Sequence, residues 1–207
     1  MLSNGIWWTR QTRIRTERRL LSNAFHSQVI LFWYSFYSVA VSIYYLNANS
    51  DPNTNKYWLI YSVLVLVVSG FMNGLSYKER AASVKENYEH LKTLYVRALE
   101  LEKTGQSYDN LALEYEVALN KCENQAPADY PEALYDTFNS AIDQSKVEPH
   151  PTQYQIDIAL KNRKYRKLYI GFLYLLPFII TVLLNGNNIV SFVVKCIRFL
   201  AKLGCNS

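Results

Sequence analysis

Three histidines, three cysteines and a scatter of carboxylates are where any chemistry of this 207-residue chain would have to begin. His26, His90 and His150 stand far apart, and none has a second ligand at metal-binding spacing beyond chance. Glu86 and His90 share a helical face at i, i+4, but one such pair on a charged helix reads as a solvated face rather than a ligand set. Cys122, Cys196 and Cys205 lack CxxC spacing, so they form neither a disulfide framework nor a zinc site and read as reduced, packing thiols. Glu114 and Glu116 are two apart on a helix and so diverge, which removes them as an acid–base pair. No GxGxxG, GxxxxGK[ST], GxSxG or HExxH occurs. The expectation is a chain that is not an enzyme, with no catalytic residue, metal or cofactor.

The polar residues that carry more information sit inside greasy sequence. Ser35, Ser38 and Ser42 follow one another at helical spacing, and so do Ser62, Ser69, Asn73 and Ser76. Each set makes one stripe on its helix. Gly70 and Gly74, four apart in "GFMNG", permit close approach of a second helix. Two readings stay open: the stripes pack helix on helix, or, brought together by oligomerisation, they line a polar path across a membrane. Neither stripe contains a charge, so neither encodes an ion preference.

The elements that must position these stripes follow from the distribution of charge. Average hydropathy resembles that of an ordinary soluble protein, because the apolar residues are blocked rather than periodic. Residues 27–46 and 57–74 are free of charge, each long enough to cross a hydrocarbon core of roughly 30 Å. Ten residues, "NANSDPNTNK", join them, which makes a membrane hairpin. A third uncharged run, residues 168–194, is broken by "NGNN" and so divides into an apolar helix over 168–184 and a shorter segment. The first run is too long and lies too far inside the chain for a cleaved signal peptide.

The net charge of +5 follows membrane topology rather than a nucleic-acid footprint. Arg10, Arg13, Arg15, Arg18 and Arg19 precede the first run; Lys161, Arg163, Lys164, Arg166 and Lys167 precede the third. The short loop holds only Asp51 and Lys56. By the positive-inside rule the N-terminus and central region are cytoplasmic and the loop is outside. Trp7, Trp8, Trp33, Tyr34, Tyr44, Tyr45, Tyr57 and Trp58 lie near the predicted borders, as interfacial aromatics do. Residues 76–167 carry 13 Lys and Arg against 15 Asp and Glu, a balance that disfavours direct nucleic-acid binding.

Beyond Gly74 a heptad rhythm begins, with Val84, Tyr88, Leu91, Tyr95 and Ala98 forming one seam and Tyr108, Leu111, Tyr115, Ala118 and Cys122 a second. Two antiparallel helices can share it, with Gly105 as the stop between them. The stretch "GFMNGLSYKERAASVKENYEHLKTLY", residues 70–95, is read as one rigid helix leaving the membrane without interruption. Weaker helical signals follow around Pro131, with Leu134, Tyr135, Phe138, Ala141 and Ile142 on one face, and another helix runs from Pro151 through "KNRKYRK" into the third run. At the C-terminus Ser191, Lys195, Arg198 and Lys202 make a polar stripe amid apolar residues, as in an interfacial helix or a returning membrane segment. Arg13, Arg15, Arg18, Arg19, Lys195, Arg198 and Lys202 are accordingly read as basic residues at the membrane surface.

The fold class is therefore an all-α membrane protein. Its parts are a basic N-terminal segment (1–26), a transmembrane hairpin (27–75) whose second helix extends into a cytoplasmic helical bundle (76–167), and a third membrane segment with an amphipathic C-terminal helix (168–207).

The order of a basic "RTERRLLSNAFHSQ", a hairpin and an exit "SYKERAASVKENYEHLKTLY", with Arg80, Tyr88, Leu91 and Leu94 in a loose pattern, resembles the SLATT family. These are two-transmembrane effector domains of bacterial nucleotide-signalling and conflict systems, and the closest likeness is to the subgroup often associated with reverse transcriptases. The resemblance implies an effector of the bacterial inner membrane in antiphage defence, oligomerising on a signal to permeabilise the bilayer and arrest the host. It implies as partners the lipid bilayer, further copies of the chain, and a reverse transcriptase, a nucleotidyltransferase product or a sensor protein. The alternative from another class is a non-conducting membrane scaffold whose cytoplasmic helices recruit a partner.

Overall fold

The computed structural model describes residues 2–46 and 52–184. The described residues are helical, with no strand: α1 Leu2–Leu46, α2 Pro52–Gly74, α3 Tyr77–Thr104, α4 Asp109–Leu119, α5 Asp129–Ser140, a 3₁₀ turn Gln144–Lys146 and α6 Gln153–Leu184. Ser191, Lys195, Cys196, Arg198, Lys202 and Cys205, read as the amphipathic tail, lie outside the described residues.

The chain divides into two compact units. The first comprises Met1–Gln28 and Met72–Leu168. Its core forms where α1, α3 and α4 lay apolar stripes together: Ile6, Leu91, Leu94, Ala98, Leu111 and Ala118 in one cluster, Leu20, Ala81 and Val84 in another. The pairs Arg80–Glu123, Asn87–Ala118 and Arg97–Glu114 show α3 and α4 running antiparallel. Along α3, Val84, Leu91 and Ala98 are buried, as are Asn87 and Leu94, while Tyr88 and Tyr95 sit half-buried at the margin. Leu111 and Ala118 hold the matching positions on α4; Tyr115 is half-buried and Tyr108 exposed. Asn87 Nδ2 donates to the Ala118 carbonyl at 2.7 Å, and one buried amide of this kind fixes the register of a helical seam. Gly105, at φ 67°, closes α3 in the left-handed conformation that glycine adopts without a Cβ penalty.

One expectation is corrected here. The second span does not continue unbroken into the first unit: α2 ends at Gly74 and α3 begins at Tyr77. The amides of Leu75 and Ser76 bond back three residues, to Met72 and Asn73, as at a fraying helix end. Ser76 then takes a left-handed conformation, φ 45° and ψ 39°, before its carbonyl accepts from Arg80 N at 3.0 Å to start α3. The side chain of Arg80 holds the turn, reaching the Leu75 carbonyl at 3.5 Å and Glu123 Oε2 at 2.5 Å. That bond to Glu123 pushes the Arg80 pKa up, against a smaller opposing effect of burial.

The second unit holds Val29–Phe71 and, among the described residues, 169–184. Its core is an aromatic seam of Tyr37, Val41, Trp58 and Tyr61, with Trp33, Val65 and Ile180 against it. The opposite surface is apolar and bare: Phe32, Leu66 and Leu183 are 78%, 72% and 77% exposed. A contiguous greasy exterior of this kind belongs in lipid.

Candidate functional site

Two stretches among the described residues are long and apolar enough to cross a membrane, Lys56–Thr104, counted across the turn at Leu75 and Ser76, and Gln153–Leu183. Only 11% and 6% of their apolar windows are buried; a core helix of a water-soluble domain would be mostly covered. The uncharged run at the end of α1 is diluted by Tyr34, Ser35, Tyr37, Ser38, Ser42 and Tyr44 and is not one of the two. It packs instead through its aromatics on both.

Pro177 sets the local chemistry of that packing. Proline has no amide hydrogen, so the carbonyl four residues earlier loses its helical partner, and in a bilayer no water replaces it. The carbonyl concerned is that of Leu173. Tyr34 donates its hydroxyl to it at 2.7 Å, and Trp33 Nε1 donates to the neighbouring Tyr174 carbonyl at 3.1 Å. Tyr37 hydrogen-bonds Thr181, whose own hydroxyl donates to the Pro177 carbonyl at 2.9 Å. The rings of Trp33 and Tyr37 close on Phe178, with centroids 5.7 and 5.3 Å away. The Tyr61 hydroxyl, buried in the same seam, has no hydrogen-bond partner among the described residues.

This inward face leaves the serine stripes outward. Ser35 and Ser42 are exposed and Ser38 half-exposed; on α2, Ser62 and Ser69 are half-exposed while Gly70, Asn73 and Gly74 are exposed. Ser42 donates to the Ser38 carbonyl at 2.8 Å and Ser62 to that of Leu59 at 2.7 Å. A Cβ built on Gly70 or Gly74 would meet nothing within 4 Å. Within one chain, then, Gly70 and Gly74 meet no other helix among the described residues.

The first unit holds a polar cluster that sequence reasoning missed. Arg13, read as a membrane-surface residue, is 1% exposed. It closes the C-terminal end of α4, donating to the carbonyls of Leu119 (3.0 Å) and Glu123 and to Cys122 Sγ (2.8 Å), where a cation suits the orphan carbonyls and the helix dipole. Burial pushes the Cys122 thiol up, with Arg13 opposing. Arg19 is likewise turned inward, bridging both oxygens of Asp129 at 2.9–3.2 Å. Asp129, 2% exposed, also accepts from Thr16 Oγ1 at 3.0 Å and Ala126 N at 2.9 Å. Glu132, equally buried, pairs with Arg15, Asn162 and Arg163. Arg163 also reaches Asp136 at 2.6 Å, and Arg166 donates to the Arg19 carbonyl and to Asn23. Desolvation lowers the pKa of both Arg15 and Arg166, with neighbouring arginines adding to it. Of the four N-terminal arginines assigned to the membrane surface, only Arg18 is exposed. The other three have nearby anions or carbonyls to satisfy, contributed by residues about a hundred positions away.

Among the described residues, no group of three or more His, Cys, Asp or Glu could hold a metal ion.

With this geometry in view, a family model described as SMODS and SLOG-associating 2TM effector domain family 5 matches residues 1–183. The chain belongs to this family. As a SLATT protein it is a membrane effector domain of the kind found in defence systems, and the SLATT domain is not a known catalytic fold. The SLATT match takes in both units of the described chain. No curated protein and no solved structure matches it.

Proposed function

We propose that this chain is the membrane-permeabilising effector of a bacterial antiphage system, assembling from several copies in the inner membrane once a signal arrives. The observation that carries this is that Ser35, Ser42 and Gly70 are exposed and Ser38, Ser62 and Ser69 half-exposed on a unit whose own helices are held by an aromatic seam instead, with Asn73 and Gly74 exposed where α2 ends in the first unit. Small polar residues on a lipid-facing surface are what a second copy would pack against or what a water-filled path would use. The N-terminus and the first unit would lie on the cytoplasmic side, where the helices around Val84, Tyr88, Leu91, Tyr95, Tyr108, Leu111 and Tyr115 would meet a reverse transcriptase, a sensor protein or the product of a nucleotidyltransferase.

Membrane potential, followed with a voltage-sensitive dye in cells carrying this chain and its genomic neighbours under phage challenge, tests it. Depolarisation that disappears in the double variant Ser38→Leu, Ser42→Leu supports a regulated pore. An unchanged potential with protection retained would sink the pore and leave a non-conducting scaffold.

A further inference from the structure

α6 carries five cations just before its apolar stretch: Lys161, Arg163, Lys164, Arg166 and Lys167. The fold sorts them by type. Both arginines turn inward, to Glu132 and Asp136 and to α1, whereas all three lysines stay exposed and none joins an ion pair among the described residues. At about 100° per residue, Lys161, Lys164, Tyr165 and Leu168 share one face, away from the buried Ala159 and from Asn162, Arg163 and Arg166. Tyr165 and Leu168 are about as exposed as the lipid-facing residues, at 61% and 60%, and Lys161 Nζ lies 5.8 Å from the Tyr165 ring centre. The single acidic residue of α6, Asp157, stands a turn further back and accepts from Gln153 Nε2 at 3.1 Å.

A merely solvated face would interleave anions with its lysines and would not bare a tyrosine and a leucine beside them. Flexible cations on long apolar stems, next to an amphipathic ring and at the mouth of an apolar helix, match the chemistry of a phospholipid headgroup layer. We propose that this face of α6, with Lys161 and Lys164 on it and Lys167 beside it, about 60° round the helix from Lys164, as phosphate partners and Tyr165 and Leu168 at the acyl boundary, binds anionic phospholipid. The proposal rests on the apolar stretch of α6 spanning the bilayer.

The full chain, purified in a neutral detergent, would be titrated with acyl-labelled phosphatidylglycerol and, separately, with acyl-labelled phosphatidylcholine. Phosphatidylglycerol should bind more tightly. Lys161→Gln, Lys164→Gln and Lys167→Gln should each weaken it about fivefold at low salt, with the triple variant losing the preference, while Lys85→Gln, Lys92→Gln and Lys103→Gln leave it intact. Equal binding of the two lipids by the unaltered chain, or equal loss in both triple variants, would overturn the proposal. Flotation with pure phosphatidylcholine vesicles separates the two levels. A chain that floats but shows no preference defeats the lipid site alone, and one that does not float defeats the membrane reading beneath it.

Discussion

The hydroxyl of Tyr34 occupies the carbonyl of Leu173 that Pro177 leaves without a helical partner. A sequence break on one helix is thus satisfied by a side chain of another, and Tyr34 and Leu173 belong to one interaction although 139 positions separate them.

That dependence is measurable as a double-mutant cycle. Tyr34→Phe should destabilise the full chain in detergent by about 1 kcal/mol, the scale of hydrogen bonds between membrane helices. In a Pro177→Ala background the restored amide can serve Leu173 itself, and the same substitution should cost close to nothing. An equal cost in both backgrounds would mean that Tyr34 contributes by packing and not through the freed carbonyl.

Asp129 offers a harsher test. Its carboxylate is buried and satisfied by Arg19, Thr16 and Ala126, so Asp129→Asn leaves a guanidinium without its counter-charge. Breaking a buried pair costs about 3–5 kcal/mol, against about 0.5 for an exposed change such as Lys92→Gln. Denaturant unfolding gives both numbers, and a loss below about 1 kcal/mol would show that the charge itself is dispensable.

At the start of α1, Ser3 donates through its hydroxyl (2.6 Å) and its amide (3.0 Å) to Glu102, and these bonds hold the Glu102 carboxyl below its ordinary value of 4.5. A depressed carboxyl contributes stability that is full above the unfolded value and is lost as pH falls through the folded one. Melting temperature should therefore drop on acidification below about pH 4.5, and Ser3→Ala should shallow that decline. An identical acid limb in the variant would assign the decline to other carboxylates.

Composition alone made the apolar stretches of α2 and α6 legible, because an uncharged block needs no knowledge of its neighbours. The arginines were not legible for the opposite reason. A charge count treats Arg13 and Arg18 alike, yet one is buried at the end of α4 and the other faces outward, and the difference lies in partners near positions 119–132. On α3 an apolar template picks Tyr88 and Tyr95, while the seam buries Asn87 and Leu94; an amide earns no place in such a template until its acceptor, the Ala118 carbonyl, is known. The turn after Gly74 did leave a signal, since glycine commonly follows a helix. The abrupt change from apolar to charged residues at the same point invited a different explanation, a membrane surface crossed by one helix.

The hydroxyls of Ser42 and Ser62 spend their hydrogen bonds on the backbone of their own helices. A solitary copy consequently carries no unmet donor at these two positions that would drive it to aggregate on insertion. At these two positions assembly along the stripes would have to draw on packing, since the donors are already engaged.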